Sequence, residues 1–283
     1  MGLIKLESTN ATQVRPSWDK PIFLKGHCKD IPAIKKWNDE SYLRDKFNDA
    51  LIDVEVYNSK EDYQRSNSIK EQQTFNQYLD NLNKFTIDSH DPGLESGDKL
   101  IYLPDCSLNT LYARSNISED LFGDLHNSED AMIGLEYPVD YYLYLGIDTK
   151  SGTHLHIEED YMMNQIIGKK KIYCLDYEQL HLNNFFHKYN NFSKENFFKL
   201  DWDKYDIYYA ELEPGDSFCF PPWMWHAVES DGYTLGMVKV FERNEDYYKK
   251  YHRLRMRYML NTQIPNLYND AKDWLQWKIT GKN

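Results

Sequence analysis

The chain has 283 residues, with 45 acidic against 33 basic side chains, a formal charge of -12, 41% apolar and 15% aromatic residues. This composition supports a packed core and excludes a disordered chain. The acidic balance excludes a general binder of phosphate backbones and favours neutral or basic partners. Cys28, Cys106, Cys174 and Cys219 stand far apart with no CxxC pair, so reduced intracellular thiols are expected rather than a zinc knuckle or a disulfide framework. The opening MGLIKLESTN has no apolar leader core, and no run is long enough to cross a bilayer, so the expected setting is cytoplasmic.

In chain order, Pro21–Lys25 reads as a short strand and Gly26 as a turn. A helix is predicted around Asp39–Phe47, with Asn38 as its N-cap and Asp39 and Glu40 in its first turn, followed by another strand. Residues 59–82 are polar with sparse apolar residues at helical spacing, which predicts a loop and then an amphipathic helix. KLIYLPDCSL (99–108) is a strand running into a turn at Pro104 and Asp105, and Tyr141–Ile147 is a strongly aromatic strand. Asp148–Gly152 supplies a turn, and the run after Gly168 continues as strand. Glu178–Trp202 reads as an insert of short helices and loops. Tyr205–Phe220 gives two strands joined at Pro214, Gly215 and Asp216, and Thr234–Phe241 gives one more, a pattern of a closed or sandwich-like β fold. The tail 244–278 predicts two helices broken near Pro265, with an apolar stripe that would dock on the barrel or on a second copy.

The chemistry concentrates in SGTHLHIEED (151–160). In an extended strand residues two apart share a face, so His156 and Glu158 project together, and His226 in FPPWMWHAVES is the candidate third ligand. Two histidines and one carboxylate on one face leave coordination positions open for oxygen chemistry on iron, although a zinc hydrolase could use the same set. His154 also lies two residues from His156 and is read as a structural neighbour of the ligands; Asp160 is read as a surplus acid beside them. Trp223, Trp225 and Phe220 read as barrel core rather than a substrate platform.

Five separated blocks, PIFLKGHCKDIPAIKKW with the helix after it, KLIYLPDCSL, GTHLHIEED, QIIGKKKIYCL and PGDSFCFPPWMWHAVE, carry a resemblance in their order. Over roughly residues 15–245 the chain resembles the JmjC-type (cupin-8) Fe(II)- and 2-oxoglutarate-dependent oxygenases, the group that contains the asparaginyl hydroxylase of hypoxia-inducible factor. The resemblance implies a mainly β fold with helical additions, a double-stranded β-helix of the cupin or jelly-roll kind. Residues 1–98 would be an N-terminal strand–helix region packed on the barrel, 99–243 the core and 244–283 a helical region. By position, His156, Glu158 and His226 would hold iron and act in catalysis. Lys170 would pair with the far carboxylate of 2-oxoglutarate, helped by Thr153 and Tyr102. Glu158 stands where the family's hydroxylases mostly carry Asp. The run from His156 to Gly168 is about one residue shorter than in those hydroxylases. Asn164 is therefore the nearest equivalent of the family's inward Asn, and Lys171 is the alternative to Lys170.

These readings together imply an Fe(II)- and 2-oxoglutarate-dependent dioxygenase that uses dioxygen to hydroxylate a side chain of a protein or peptide. A free amino acid or other small molecule, and N-methyl demethylation, are the enzymatic alternatives. A catalytically silent cupin-like binding module is the alternative from another class. No general nucleic-acid or membrane partner is expected, and a homodimer through the C-terminal helices is compatible with the tail.

Overall fold

A computed structural model describes residues 2–9, 20–57, 68–88, 100–133, 135, 138–151, 153–157, 159–177, 179, 186–187, 190–193 and 197–242, together with positions 252, 253, 256 and 260. The chain opens with β1 (Gly2–Lys5) and β2 (Ile22–Leu24), then α1 (Ala33–Lys36), α2 (Glu40–Phe47), β3 (Leu51–Tyr57), β4 (Ile69–Thr74) and α3 (Phe75–Asp88). There follow β5 (Leu100–Ser107), α4 (Leu108–Ser115), α5 (Asp120–Asp124), β6 (Asp140–Ile147) and the long β7 (Glu159–Asp176). A small hairpin of β8 (Phe186–His187) and β9 (Asn190–Ser193) precedes β10 (Asp206–Leu212), β11 (Ser217–Phe220) and β12 (Met224–Glu242).

Among the described residues, ten strands form one sheet in the order β1-β10-β7-β12-β6-β5-β3-β4, with β11 joining β7 to β2. The two long strands explain its closure. The first half of β7 pairs with β11 (Tyr161 opposite Phe220), its second half with β10 (Lys170 opposite Leu212), and β12 runs along its other edge for nearly its whole length. The long strands therefore pass from one layer into the other, and the sheet wraps into a jelly roll, a double-stranded β-helix, as expected from the sequence.

A bulge at Gly168 makes this crossing possible. Its φ of +71° is open to glycine, and a Cβ there would fall 2.2 Å from the Tyr233 carbonyl oxygen. Opposite it, β12 carries extra residues between Asp231 and Leu235. Because side chains alternate strictly, one inserted residue exchanges the two faces. Tyr161 and Met163 before the bulge, and Ile172 and Cys174 after it, consequently share the barrel interior with Phe218, Phe220, Val238 and Val240. Met162 and Ile166, of the opposite parity, pack outside the barrel.

The N-terminal layer covers that outer face. Trp37, Phe47, Phe75 and Tyr78 pack with Leu103, Leu143, Leu145 and Met237 in one core, and Phe47 stacks on Phe75 with ring centroids 4.0 Å apart. Asp124 ties its helices together, accepting from Lys36 Nζ at 2.6 Å, Trp37 Nε1 at 3.1 Å and the Tyr42 hydroxyl at 2.5 Å. The four cysteines are buried and free.

Several local expectations change. The cap of α2 is Asp39, whose carboxylate accepts from the Ser41 N–H at 3.0 Å, while the Asn38 amide donates to the Ile34 carbonyl instead. Part of the loop predicted before α3 is a strand, because Ile69–Thr74 finds a backbone partner in β3 that its polar side chains do not announce. β5 runs through Pro104 and Asp105 with an irregularity there and leads directly into a helix, α4, capped by Ser107. The tail from 243 onward, with its two predicted helices and its dimer option, lies outside the described residues apart from four positions. No helix among the described residues is long and apolar enough to cross a membrane.

Candidate metal centre

Lys150 and His154 form antiparallel bridges to the first half of β12, opposite Glu229 and His226. His154 and His226 face each other as a reciprocally bonded pair, with His154 N–H donating to His226 O at 3.1 Å and His226 N–H to His154 O at 2.8 Å. Directly opposed residues share a face, as do residues two apart, so three imidazoles converge. Ring centroids lie 4.0 Å apart for His154 and His226, 5.0 Å for His156 and His226, and 5.2 Å for His154 and His156. One nitrogen of each lies within 4.8 Å of the others. His154, read from the sequence as a neighbour of the ligands, thus joins the cluster itself. Its register opposite His226 is a tertiary fact that the motif does not contain. Glu158 lies outside the described residues.

The turn before β12 holds His226 in place. Trp223, at φ +64°, donates its N–H to the His156 carbonyl at 2.8 Å and accepts from the Tyr177 N–H at 3.1 Å. Trp223 and Trp225 are buried in a cluster with Leu155, Tyr173 and Leu175, on the face away from the histidines. Phe220 instead walls the site, 4.5 Å from the His226 ring, and Tyr161 stacks on His156 at 3.9 Å. Burial, and then the neighbouring imidazoles, hold His156 and His226 well below the ordinary histidine range. They are neutral, as ligands must be. His226 Nδ1 lies 3.2 Å from the Met224 carbonyl oxygen, and a proton placed there leaves Nε2 as the ligating atom.

A second polar locus lies on the same interior face. Lys170 pairs with Ser230 in the β7–β12 ladder, four residues along from the pair formed by Cys174 and His226, a separation of about 13 Å between backbone positions. Lys170 is 3% exposed and has no anionic partner among the described residues. Burial lowers its pKa to about 7. Its Nζ lies 5.8 Å from the Tyr144 ring centre, and the residue borders a cavity of roughly 700 Å³ lined by Phe23, Leu212 and Ser230 and by charged groups of both signs, Lys169, Lys171, Glu211 and Glu229 among them. A glycine makes room here: a Cβ at Gly236 would come within 2.9 Å of Lys170 Nζ.

Tyr102 is half-buried on β5 with its ring beside Gly146 of β6. Lys171 turns outward to Glu211 at 3.3 Å, which leaves Lys170 as the interior lysine. Thr153 is buried and its hydroxyl has no hydrogen-bond partner among the described residues; alternation places it with Leu155 rather than with the histidines. Asn164 is fully buried on the outer parity and accepts from the Ser217 hydroxyl at 2.6 Å. Gln165, which the sequence reading passes over, is the interior residue next to it, paired with Gly236. Its position follows from counting back through the bulge, which a plain period-two reading ignores.

Neutral imidazoles within ligand reach of one another suit a divalent metal ion. A buried ammonium with no counter-charge, beside a cradle that any Cβ would fill, suits one carboxylate of a dianion. No curated protein matches the chain. A family model for the cupin-like domain matches residues 16–247, which spans both loci and most of the sequence. The chain belongs to the cupin-like domain family.

Proposed function

We propose that the chain is an Fe(II)- and 2-oxoglutarate-dependent dioxygenase of the JmjC type, hydroxylating a side chain of a protein or peptide. The observation that carries this reading is the placement of a histidine cluster and a buried lysine lacking an anion on one interior face. Neither locus alone selects the chemistry, since three imidazoles also suit zinc. A metal site with a carboxylate anchor farther along the same face matches a chelating keto acid that ends in a second carboxylate.

In this reading His156, Glu158 and His226 hold the metal, with His154 packed against them. Lys170 holds the far carboxylate, Tyr102 lends a hydroxyl donor, and Tyr161 and Phe220 keep water from the histidine side, while Thr153, on the other face, is left out of the anchor. Bound iron would supply the coupling of dioxygen reduction and 2-oxoglutarate decarboxylation to insertion of oxygen into a C–H bond, with succinate and CO2 as co-products. The chain's own contribution is to keep the imidazoles neutral, fix the ligand's orientation and leave coordination positions open. The net negative charge favours a neutral or basic peptide over an acidic one.

The test is succinate formation from 2-oxoglutarate by the Fe(II)-loaded protein in air, with His156→Ala and Glu158→Ala as controls. Turnover that both substitutions abolish supports the reading, and +16 products from a peptide library would identify the substrate class. Activity with Zn(II) on a hydrolysable ester and no binding of 2-oxoglutarate would replace it with the hydrolase reading.

A further inference from the structure

Gln165 is fully buried and is held at both ends. Its backbone N–H donates to the Asp216 carbonyl and its carbonyl accepts from the Gly215 N–H, both at 2.9 Å. Its side-chain Nε2 donates to the Ile167 carbonyl at 2.6 Å and to the Gly168 carbonyl at 3.2 Å. Only the nitrogen of a carboxamide can serve two carbonyls, so the surroundings fix which way the amide is turned. Oε1 is left without a hydrogen-bond partner among the described residues. A Cβ built on Gly236 would lie 3.5 Å from Gln165 Oε1 and 2.9 Å from Lys170 Nζ. A buried acceptor without a donor and a buried ammonium without an acceptor therefore flank one glycine-made gap, and such groups seldom stay unpaired.

We propose that Gln165 is the positioning residue of Lys170: the free Oε1 of its clamped amide takes one Nζ–H across Gly236 when the dianion binds, and so turns the remaining two toward its carboxylate. The assignment rests on the reading of Lys170 as the co-substrate anchor. It gives the bulge a second role, because the two carbonyls that hold the amide belong to Ile167 and Gly168. The Tyr144 ring centre lies 5.8 Å from the ammonium, the amide lies across Gly236, and no carboxylate among the described residues is within ion-pair distance of it.

The experiment uses the full chain and reads Lys170 directly. Acetic anhydride labelling near neutral pH, without co-substrate, gives the acetylation rate of Lys170 by peptide mass spectrometry. Calorimetry with Mn(II) gives 2-oxoglutarate affinity. Gln165→Met should speed labelling several-fold and weaken 2-oxoglutarate binding about tenfold, with Mn(II) affinity unchanged. Gln165→Glu should suppress labelling by pairing with the ammonium, and should weaken binding about a hundredfold or more by occupying the anion's place. Equal effects of the two variants on labelling and binding would mean that Gln165 only braces the bulge, and would overturn the proposal, as would no effect of either. Should the Gln165 variants not fold, Gly236→Ala decides, since it leaves the clamp intact and intrudes on Nζ. Binding weakened tenfold or more with a changed labelling rate supports the proposal, and unchanged values overturn it. Wild-type protein that binds no 2-oxoglutarate, while Gln165→Met still speeds labelling, would retain the coupling of the two residues and remove the co-substrate reading.

Discussion

Lys170 and Lys239 stand on neighbouring strands, are 3% and 1% exposed, and face opposite layers. On the outer face Lys239 donates to Asp130 Oδ2 at 2.6 Å, and the other oxygen of that carboxylate lies 3.0 Å from His27 Nε2. On the inner face Lys170 has a tyrosine ring and the Gln165 amide near it and, among the described residues, no carboxylate within ion-pair distance. Both amines need compensation for leaving water, and only one receives it from its own chain. The outer amine is compensated as folded, and the inner one is left without a counter-charge among the described residues.

The contrast can be broken first at Lys239. Lys239→Met strands the Asp130 carboxylate and should lower unfolding stability by about 4 kcal/mol in urea titration, with little change in metal affinity. Lys170→Met should do the reverse: stability held or raised, and 2-oxoglutarate affinity in the metal-loaded protein reduced about a hundredfold or more. A Lys170→Met protein that unfolds as readily as Lys239→Met would end the comparison.

A pH series sharpens it. With its folded pKa lowered to about 7 and an unfolded value of about 10.4, Lys170 is neutral in the fold over a window where the unfolded chain still binds the proton. Stability of the wild type relative to Lys170→Met should therefore rise as pH increases through that window, by roughly 5 kcal/mol, with the full penalty present below it. Denaturant midpoints of the two proteins across this range check the sign, and saturating 2-oxoglutarate should flatten the trend. The smallest effect belongs to a site outside both layers: Asp39→Ala removes the cap of α2 and should cost about 1 kcal/mol, leaving metal and 2-oxoglutarate binding unchanged.

The comparison also marks what the sequence can and cannot say. The aromatic strand β6 and the turn at Pro214–Asp216 follow from turn residues and alternation, which are local, whereas the jelly roll was implied by the resemblance. The interior face of Lys170 was legible only through the Gly168 register of the resemblance. The bulge reassigns parity, so Gln165 rather than Asn164 shares that face, and counting by two across Gly168 gives the wrong answer. Asp124 and Asp130 carry no local signal in the sequence, because their partners lie 82 to 109 residues away. The same holds for His154, whose place in the cluster depends on which residue of β12 lies opposite.

The length of β7 and β12 has a further consequence, for the order in which the molecule opens. His226 sits near the start of a 19-residue strand whose other end carries Lys239, and β7 is bonded to it along nearly all of its 18 residues. Local unfolding proceeds in cooperative units, and a ladder shared by both layers opens only when both do. The amides of this ladder should be the last in the protein to exchange with solvent, after those of β1, β4 and the N-terminal helices. The metal centre is therefore mounted on the slowest-opening part of the chain. Loss of the N-terminal layer by fraying would leave His226 in register long after the outer core had begun to breathe.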